Sequence, residues 1–597
     1  MANTLRSHLT LLAPLGLSLS LATPARADDG RPPQTPTSPA PATVAAANAG
    51  AANAVLPAPA DEPDVSASEF ADLRLDDGHP KPKTPDDETI RLHIGGEYQV
   101  RYQGMRNLVL TPTVSAINAQ PGLREDTLGQ NQFAHHWLRF TPRLQVRSSI
   151  EVVGQIDLLT GLALGDRAHD TRADQTPRDT YDGFSNVQPR WLYVDLHTPV
   201  GLFRVGQQGS HWGLGILAND GNHANLFGDY RYGQINERIL FATKPGGKDS
   251  NFAVIVAGDL VYRDNFAQLS KGDHAYQGVL AGLYERELKQ IGFYAVYRNQ
   301  STDRESGRYQ GYTDKLEAVV LDGAARIASR IPSTSSYVFA AGEAAAILGS
   351  TNLLRTPAQA LSGDRTQVRS YGGAAQVGVV VQRRGNKQLS WSDKGAAKGD
   401  ITKYGELAVQ LEAGYASGDA DPYDGEQKRF TFDGNHRVGL LIFDELVRWQ
   451  TARAATAAMD PLLSNAQRPT PGIDLLPTNG GVAGAQYLYP SAVYRPRPWL
   501  DLRGAAVVAQ ATSDVVDPYI LATTGNYQNA RKGDPKRRDL GLELDLGAEV
   551  RVPLDYGAIA NLGVQGGVLF PGGALANGAG ATPSLPWIVI GRAGFNF

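Results

Sequence analysis

Ile90-Arg91-Leu92-His93-Ile94-Gly95-Gly96-Glu97-Tyr98-Gln99-Val100-Arg101-Tyr102-Gln103 alternates without a break. Ile90, Leu92, Ile94, Gly96, Tyr98, Val100 and Tyr102 fall in one register, and Arg91, His93, Gly95, Glu97, Gln99, Arg101 and Gln103 in the other. Successive side chains of a strand point to opposite faces, so this stretch is a strand with one apolar and one charged face. It exceeds the usual strand length of about 5–6 residues and meets the ~9–11 residues that a tilted strand needs to cross a bilayer. The charged face decides the architecture. Lipid rejects it, and so does the core between two sheets, whereas the water inside a wide barrel accepts it.

The pattern recurs. Leu138, Phe140, Pro142, Leu144 and Val146 oppose Arg139, Thr141, Arg143, Gln145 and Arg147; Ile150, Val152, Gly154, Ile156 and Leu158 oppose Glu151, Val153, Gln155 and Asp157. Further strands are expected near 190–197, 201–208, 234–243, 252–263, 275–286, 289–298, 314–327, 335–347, 369–383, 406–415, 486–494 and 499–510. Leu540, Leu542, Leu544, Leu546, Ala548, Val550 and Val552 then oppose Gly541, Glu543, Asp545, Gly547, Glu549 and Arg551, and a partner runs from Tyr556 to Phe570. Short links at 198–200, 286–288, 495–498 and 553–555 alternate with long polar ones, as the turns and outer loops of such barrels do. A strand at Val438–Phe443 breaks this alternation. The segment 416–485 therefore reads as one long outer loop, with a helix from Phe443 to Met459. The chain is predicted to be all-β: a transmembrane antiparallel up-and-down barrel over 89–597, with about 18 strands, an even number as single-chain bacterial barrels require.

The last stretch, Pro586 to Phe597, should close it. Trp587, Val589, Gly591, Ala593, Phe595 and Phe597 alternate with Ile588, Ile590, Arg592, Gly594 and Asn596. Pairing with the strand that starts at Ile90 removes both sheet edges. On that register Ile588 and Ile590 face inward, where the lumen should be polar. Either an inward-folded loop covers them, or the register shifts at Gly591.

Upstream, Arg6 and His8 precede the apolar run Leu9–Leu21, followed by Ala25-Arg26-Ala27, which is a secretory signal peptide over 1–27. Residues 28–88 are rich in Ala and Pro and are expected to form a disordered periplasmic tail. The expected location is the bacterial outer membrane, with both termini periplasmic and lipid around the wall. The chain has no cysteine, which removes thiol catalysis, disulfides and thiolate metal sites. A net charge of -4 gives no electrostatic footprint for nucleic acid.

The strongest chemical constellation is the inner face. Arg91, Arg101, Arg139, Arg143, Arg147, Arg503, Arg551 and Arg592 are expected to line the pore, balanced by Glu151, Asp157, Glu543, Asp545 and Glu549. Such charges brace the wall across neighbouring strands and can form a selectivity filter. Other groupings are weaker. Gly418–Glu426 resembles a calcium loop but carries Tyr423 at the fifth position, so it reads as a solvated acidic loop. His135 and His136 are adjacent, placed just before the second strand, and point to opposite faces, which suits no shared metal. Ser210-His211 with Asp220 suggests a hydrolase, but no G-x-S-x-G elbow supports it. Gly372-Gly373 and Gly480-Gly481 read as strand and turn glycines. No cofactor and no metal site is expected, and no enzyme.

Tyr415–Asp421, Phe432-Asp433-Gly434 and Leu441–Glu445 resemble the S-G-D loop and F-D-E segment of the alginate-export family of outer-membrane proteins. Leu540–Leu546 with Val568–Gly573 is similar to that family's late hairpin. The resemblance implies an 18-stranded barrel with an arginine-lined pore passing an anionic polysaccharide. The terminal aromatic Phe597 resembles the signal read by the barrel-assembly machinery. The function expected is a passive channel for a small hydrophilic solute or an anionic polysaccharide. The alternatives are a plugged barrel acting as surface adhesin or scaffold through 416–485, or an outer-membrane hydrolase.

Overall fold

Alternating stretches become strands only if each finds two neighbours, and here all of the long ones do. The computed structural model describes residues 90–597 except 109–131, 148, 160–162, 166–186, 224, 229–232, 248–249, 287, 304–312, 333, 335, 354–364, 383–405, 422–423, 452–475, 498, 518–519, 522–523 and 555–557. The expected signal peptide and tail lie outside the described residues. The strands are β1 (Ile90–Arg106), β2 (Gln132–Val146), β3 (Ile150–Leu158), β4 (Ala163–Gly165), β5 (Val187–Thr198), β6 (Gly201–Gly209), β7 (Ile235–Thr243), β8 (Phe252–Arg263), β9 (Asp273–Arg286), β10 (Lys289–Asp303), β11 (Thr313–Arg330), β12 (Tyr337–Thr351), β13 (Thr366–Gln382), β14 (Glu406–Ala416), β15 (Glu426–Gln427), β16 (Ala485–Arg497), β17 (Leu500–Ala511), β18 (Asp539–Pro553), β19 (Ile559–Pro571) and β20 (Trp587–Asn596).

β4 adds three residues beside the start of β2, and β15 lies parallel to β13. The other strands form a closed antiparallel barrel of 18. The seam joins β1 to β20 from Glu97 opposite Asn596 to Arg106 opposite Trp587. Beyond it, Gly96 N–H donates to the Phe597 carbonyl and Phe597 N–H to the Gly96 carbonyl, each at 2.9 Å. β2 begins earlier than its alternation announces, because β1 runs on to Arg106 and its ladder pairs Gln103 with Phe133 and Gly104 with Gln132. His135 and His136 therefore lie inside β2. His135 is buried on the inner face, and the His136 ring meets the Tyr98 hydroxyl at 2.9 Å.

Side chains sort by face as the periodicity predicts. Outward residues are apolar and exposed: Ile90 at 73%, Leu546 at 72% and Ile239 at 66% are examples. Inward residues are charged or polar and buried, among them Arg101, Gln103, Arg139, Asp157, Arg190 and Arg495.

A ring of this many strands is too wide for its own side chains to fill. Two loops enter it. The described part of the first lies within 210–234, after β6; that of the second lies within 416–485, chiefly from Phe430 onward. Val438 is not in a strand. A π-helix, Ile442–Val447, leads into a helical turn that continues to residue 451, so the expected helix starts where predicted, and the rest of it lies outside the described residues. Phe430, Phe432, Leu440, Leu441, Ile442, Phe443 and Trp449 form an apolar cluster with Ile216 and Phe227 of the first loop. The wall contributes Met105, Tyr487, Val507, Leu569, Ile588 and Ile590. This answers the question posed by β20. Its register runs through Gly591 against both neighbours, and Ile588 and Ile590 face inward beneath the second loop.

Phe432 is fully buried in that cluster. Phe432→Ala is expected to remove about 3–5 kcal/mol from the seating of the second loop. Limited proteolysis should then cut within 416–485, while heat-modifiable migration of the barrel is unchanged.

Candidate functional site

A loop inside a barrel takes its backbone N–H groups away from water, and each must find an acceptor. Wall carboxylates supply them. Glu543, inward on β18, accepts the N–H groups of Leu440, Leu441 at 2.7 Å and Ile442 at 2.8 Å. Glu343 on β12 accepts those of Leu214 and, at 3.4 Å, Ile216. Successive N–H groups curled around an anion form a nest. Glu543 is held in such a nest, and the donors to both carboxylates follow a glycine in the left-handed region, Gly439 (φ 74°) and Gly213 (φ 59°). A Cβ at Gly439 would stand 2.6 Å from Glu543 Oε1, and one at Gly213 would collide with the Glu343 carboxylate.

More wall groups hold the loops. Glu412 on β14 meets His436 Nε2 at 3.0 Å, accepts from Gln376 Nε2 at 2.7 Å and accepts from the Tyr487 hydroxyl. Gln103 on β1 donates to Glu445 at 2.8 Å, and Gln565 on β19 accepts from Gly228 N–H at 3.1 Å.

Among the residues expected to line the pore, Glu543 and Asp545 face inward but do not meet the lumen. Both are fully buried, and Glu543 is bonded to the second loop. Alternation reports the side of the wall, and a covering loop leaves no trace in it. Arg147 lies past the end of β2, in an exposed turn with φ 55°, where the pleat that would aim it inward has ended. Arg91 is half-buried on the inner face opposite Gln145. Arg101 is buried between His135 and Arg592 on neighbouring strands.

Arg592 donates to the Gly228 carbonyl of the first loop, and the remainder brace the wall in pairs. Arg139 grips Asp157 with two bonds of 2.7 and 2.9 Å. Arg143 stands 3.8 Å from Glu151. Asp501 and Glu549 are directly opposite on β17 and β18, a repulsive pairing. Arg495 answers it with bonds of 2.6 and 3.0 Å to Asp501, Arg551 with a bond to Asp501, and Arg503 with one of 2.8 Å to Glu549. Arginines outside the expected set do likewise: Arg204 with Asp195 and Arg238 with Asp259, each at 2.6 and 2.7 Å. Their alternation made them legible as inward residues, as it did for Arg139.

Beneath the two loops lies a cavity of about 240 Å³. Arg503, Arg551, Arg592, Glu549, Gln410 and Asn561 contribute from the wall, and His211, His223, His436 and Arg437 from the loops. Charged and polar groups alternate around it with apolar ones, Leu214 and Leu226 from the first loop and Val493 from the wall. Ser210 does not serve it as a nucleophile: it is buried, and its Oγ accepts from Asn236 Nδ2 at 3.2 Å. In the acidic loop Lys428 takes a cation's place, 2.6 Å from Asp424 and 3.3 Å from Glu426.

No family model matches the sequence, and no curated protein matches it. Solved structures do align. Pseudomonas aeruginosa OccK9 (OpdG) matches at 11% identity and a TM-score of 0.44, over 86% of this chain and 100% of its own. Acinetobacter baumannii OccAB1 matches at 9% identity and 0.42, over 84% and 97%. Pseudomonas aeruginosa OccK2 (OpdF) in complex with glucuronate matches at 9% and 0.39, over 86% and 97%. These likenesses concern the overall course of the chain, and the functional reading rests on the wall, loops and cavity of this protein.

Two outcomes test the loop anchors. Glu543→Gln replaces a charged acceptor by an amide, and hydrogen bonds to charged groups contribute about 1.5–3 kcal/mol. Amide exchange at Leu440, Leu441 and Ile442 should accelerate by roughly tenfold or more, with exchange in β18 and β19 unchanged. The second outcome is pH-dependent. Burial alone would lower the His436 pKa, but the Glu412 charge and hydrogen bond, the Leu214 carbonyl and Asp433 outweigh it and hold it above the ordinary histidine value. A raised folded-state pKa stabilises fully below the unfolded value of about 6.5 and is lost as pH rises through the folded one. Exchange in the second loop should therefore speed up beyond the intrinsic base-catalysed rise across that upper range in the native protein. His436→Gln should abolish this extra rise.

Proposed function

We propose that this protein is an outer-membrane channel for a small hydrophilic solute. The observation that carries the reading is the charged cavity inside a closed wall whose outer face is apolar. Such an exterior needs lipid, and a charged interior narrowed by inserted loops suits selective passage of a polar solute. The cavity favours a single carboxylate-bearing solute: Arg437, Arg503, Arg551 and Arg592 gather positive charge at its border while bonded to neighbouring groups, and Glu97, Glu412, Asp501 and Glu549 temper that charge. The alginate-export resemblance points to an anionic polysaccharide instead, which would require both inserted loops to move aside. The adhesin reading has less support, because Phe430 to Trp449, the core of the segment 416–485, is packed inside the barrel, and among its described residues only the short acidic stretch around Asp421 and Asp424 is exposed.

Reconstitution in planar bilayers tests this. Stepwise conductance with a small anion preference is expected, reduced by millimolar uronate or a similar small carboxylate and unaffected by an oligosaccharide polyanion. A folded, inserted barrel that shows no conductance steps would sink the channel. Lipid contact is tested separately. Leu546→Arg places a charge on the outer face and should cost up to about 2–4 kcal/mol, according to its depth in the bilayer, measured by denaturant unfolding in vesicles.

A further inference from the structure

The first inserted loop brings together three groups that play no part in bracing the wall: His211, Asp220 and His223. The His223 Nδ1 lies 3.1 Å from Asp220 Oδ1, and the His211 Nδ1 lies 4.0 Å from the same oxygen. The two imidazoles stack with centroids 3.7 Å apart. Among the described residues this is the one group of three or more histidines and carboxylates whose donor atoms all converge, within 4.8 Å of one another. Both histidines line the cavity, and all three side chains are partly accessible, at 21%, 14% and 37%.

The backbone that carries them is held firmly. Trp212 N–H donates to the Ala218 carbonyl at 3.0 Å, and its indole N–H reaches Asp322 on β11 at 3.2 Å. Asn222 N–H donates to Asp220 Oδ1 at 2.9 Å, which fixes the carboxylate. Arg190 on β5 donates to the Asp220 carbonyl and, at 3.0 Å, to Asn222 Oδ1. Outer bonds of this kind orient metal ligands.

We propose that His211, Asp220 and His223 form a binding site for a divalent transition-metal ion of the zinc, nickel or copper class, open to the lumen cavity. Nitrogen and carboxylate ligands at roughly 2.0–2.2 Å from one ion lie about 3–3.5 Å apart. The His223 pair is already in that range, and a side-chain adjustment brings His211 into it. Two imidazoles with one carboxylate select such ions over magnesium and calcium, which take oxygen ligands. Three protein ligands leave at least one coordination position facing the cavity, where a carboxylate or water can bind. The same three residues could instead form only a hydrogen-bonded cluster, and the experiment separates the two.

The untagged full chain, in detergent micelles, is titrated with Co²⁺ as a spectroscopic probe. This readout does not depend on whether the barrel conducts. Visible absorption of nitrogen-coordinated Co²⁺ at one equivalent is expected, displaced by equimolar Zn²⁺ and not by excess Mg²⁺. His223→Ala and Asp220→Asn should each weaken binding by at least about tenfold, while His197→Ala, at an exposed position beside the β5–β6 turn, binds as the native protein does. Heat-modifiable migration verifies that each variant is folded. A readout without variants accompanies it: Zn²⁺ should protect His211 and His223 of the native protein from diethylpyrocarbonate. Absence of the absorption at millimolar Co²⁺, absence of that protection, or equal binding by folded His223→Ala would each overturn the site.

Discussion

Everything inside this barrel depends on one requirement, that loop backbone removed from water must still find acceptors. Glu543 meets it by receiving three consecutive N–H groups and Glu343 by receiving those of Leu214 and Ile216, and Gly439 and Gly213 let the chain approach close enough. A buried carboxylate is costly to desolvate, and only several simultaneous donors offset that cost. The anchors therefore sit where a nest can form around them. Once these anchors hold, Phe430, Phe432 and Leu441 bury their side chains against the wall, and a small cavity lined by charged and apolar groups is left.

The wall was largely legible in the sequence, because a strand must alternate wherever water lies on one side and apolar surroundings on the other. Ile90 to Gln103 and Leu540 to Val552 carry that signal without interruption, and the seam followed from it. The inserted loops were not legible, because their contacts join residues hundreds of positions apart and follow no period. Glu543 and Asp545 illustrate the loss. Both are buried beneath the second loop, and nothing nearby in the sequence announces the residues that cover them. Ile588 and Ile590 were the exception, since two isoleucines on a face that should be wet demand a lid. Of the lumen triad, His211 and Asp220 stood out, and His223 was passed over because its value lies in a turn of the loop and not in any spacing.

The arginines carry two burdens at once. Those in bidentate pairs, such as Arg139 with Asp157 and Arg238 with Asp259, are committed to holding adjacent strands in register. Arg503 and Arg551, beside Asp501 and Glu549, resolve a like-charge contact while still bordering the cavity. A single substitution among the latter changes both the bracing of the wall and the potential inside the cavity, and a paired change at the carboxylate separates the two.

The bond between Gln103 and Glu445 has a further bearing, on the order of assembly. Its partners are separated by 342 residues, and Gly228 and Gln565 by 337. Closing such spans by chance search costs entropy that one hydrogen bond does not return. They become neighbours cheaply only after the first and last strands have met. The loops are thus the last part of the molecule to find their place, and an occupied lumen is a record that the ring has already closed.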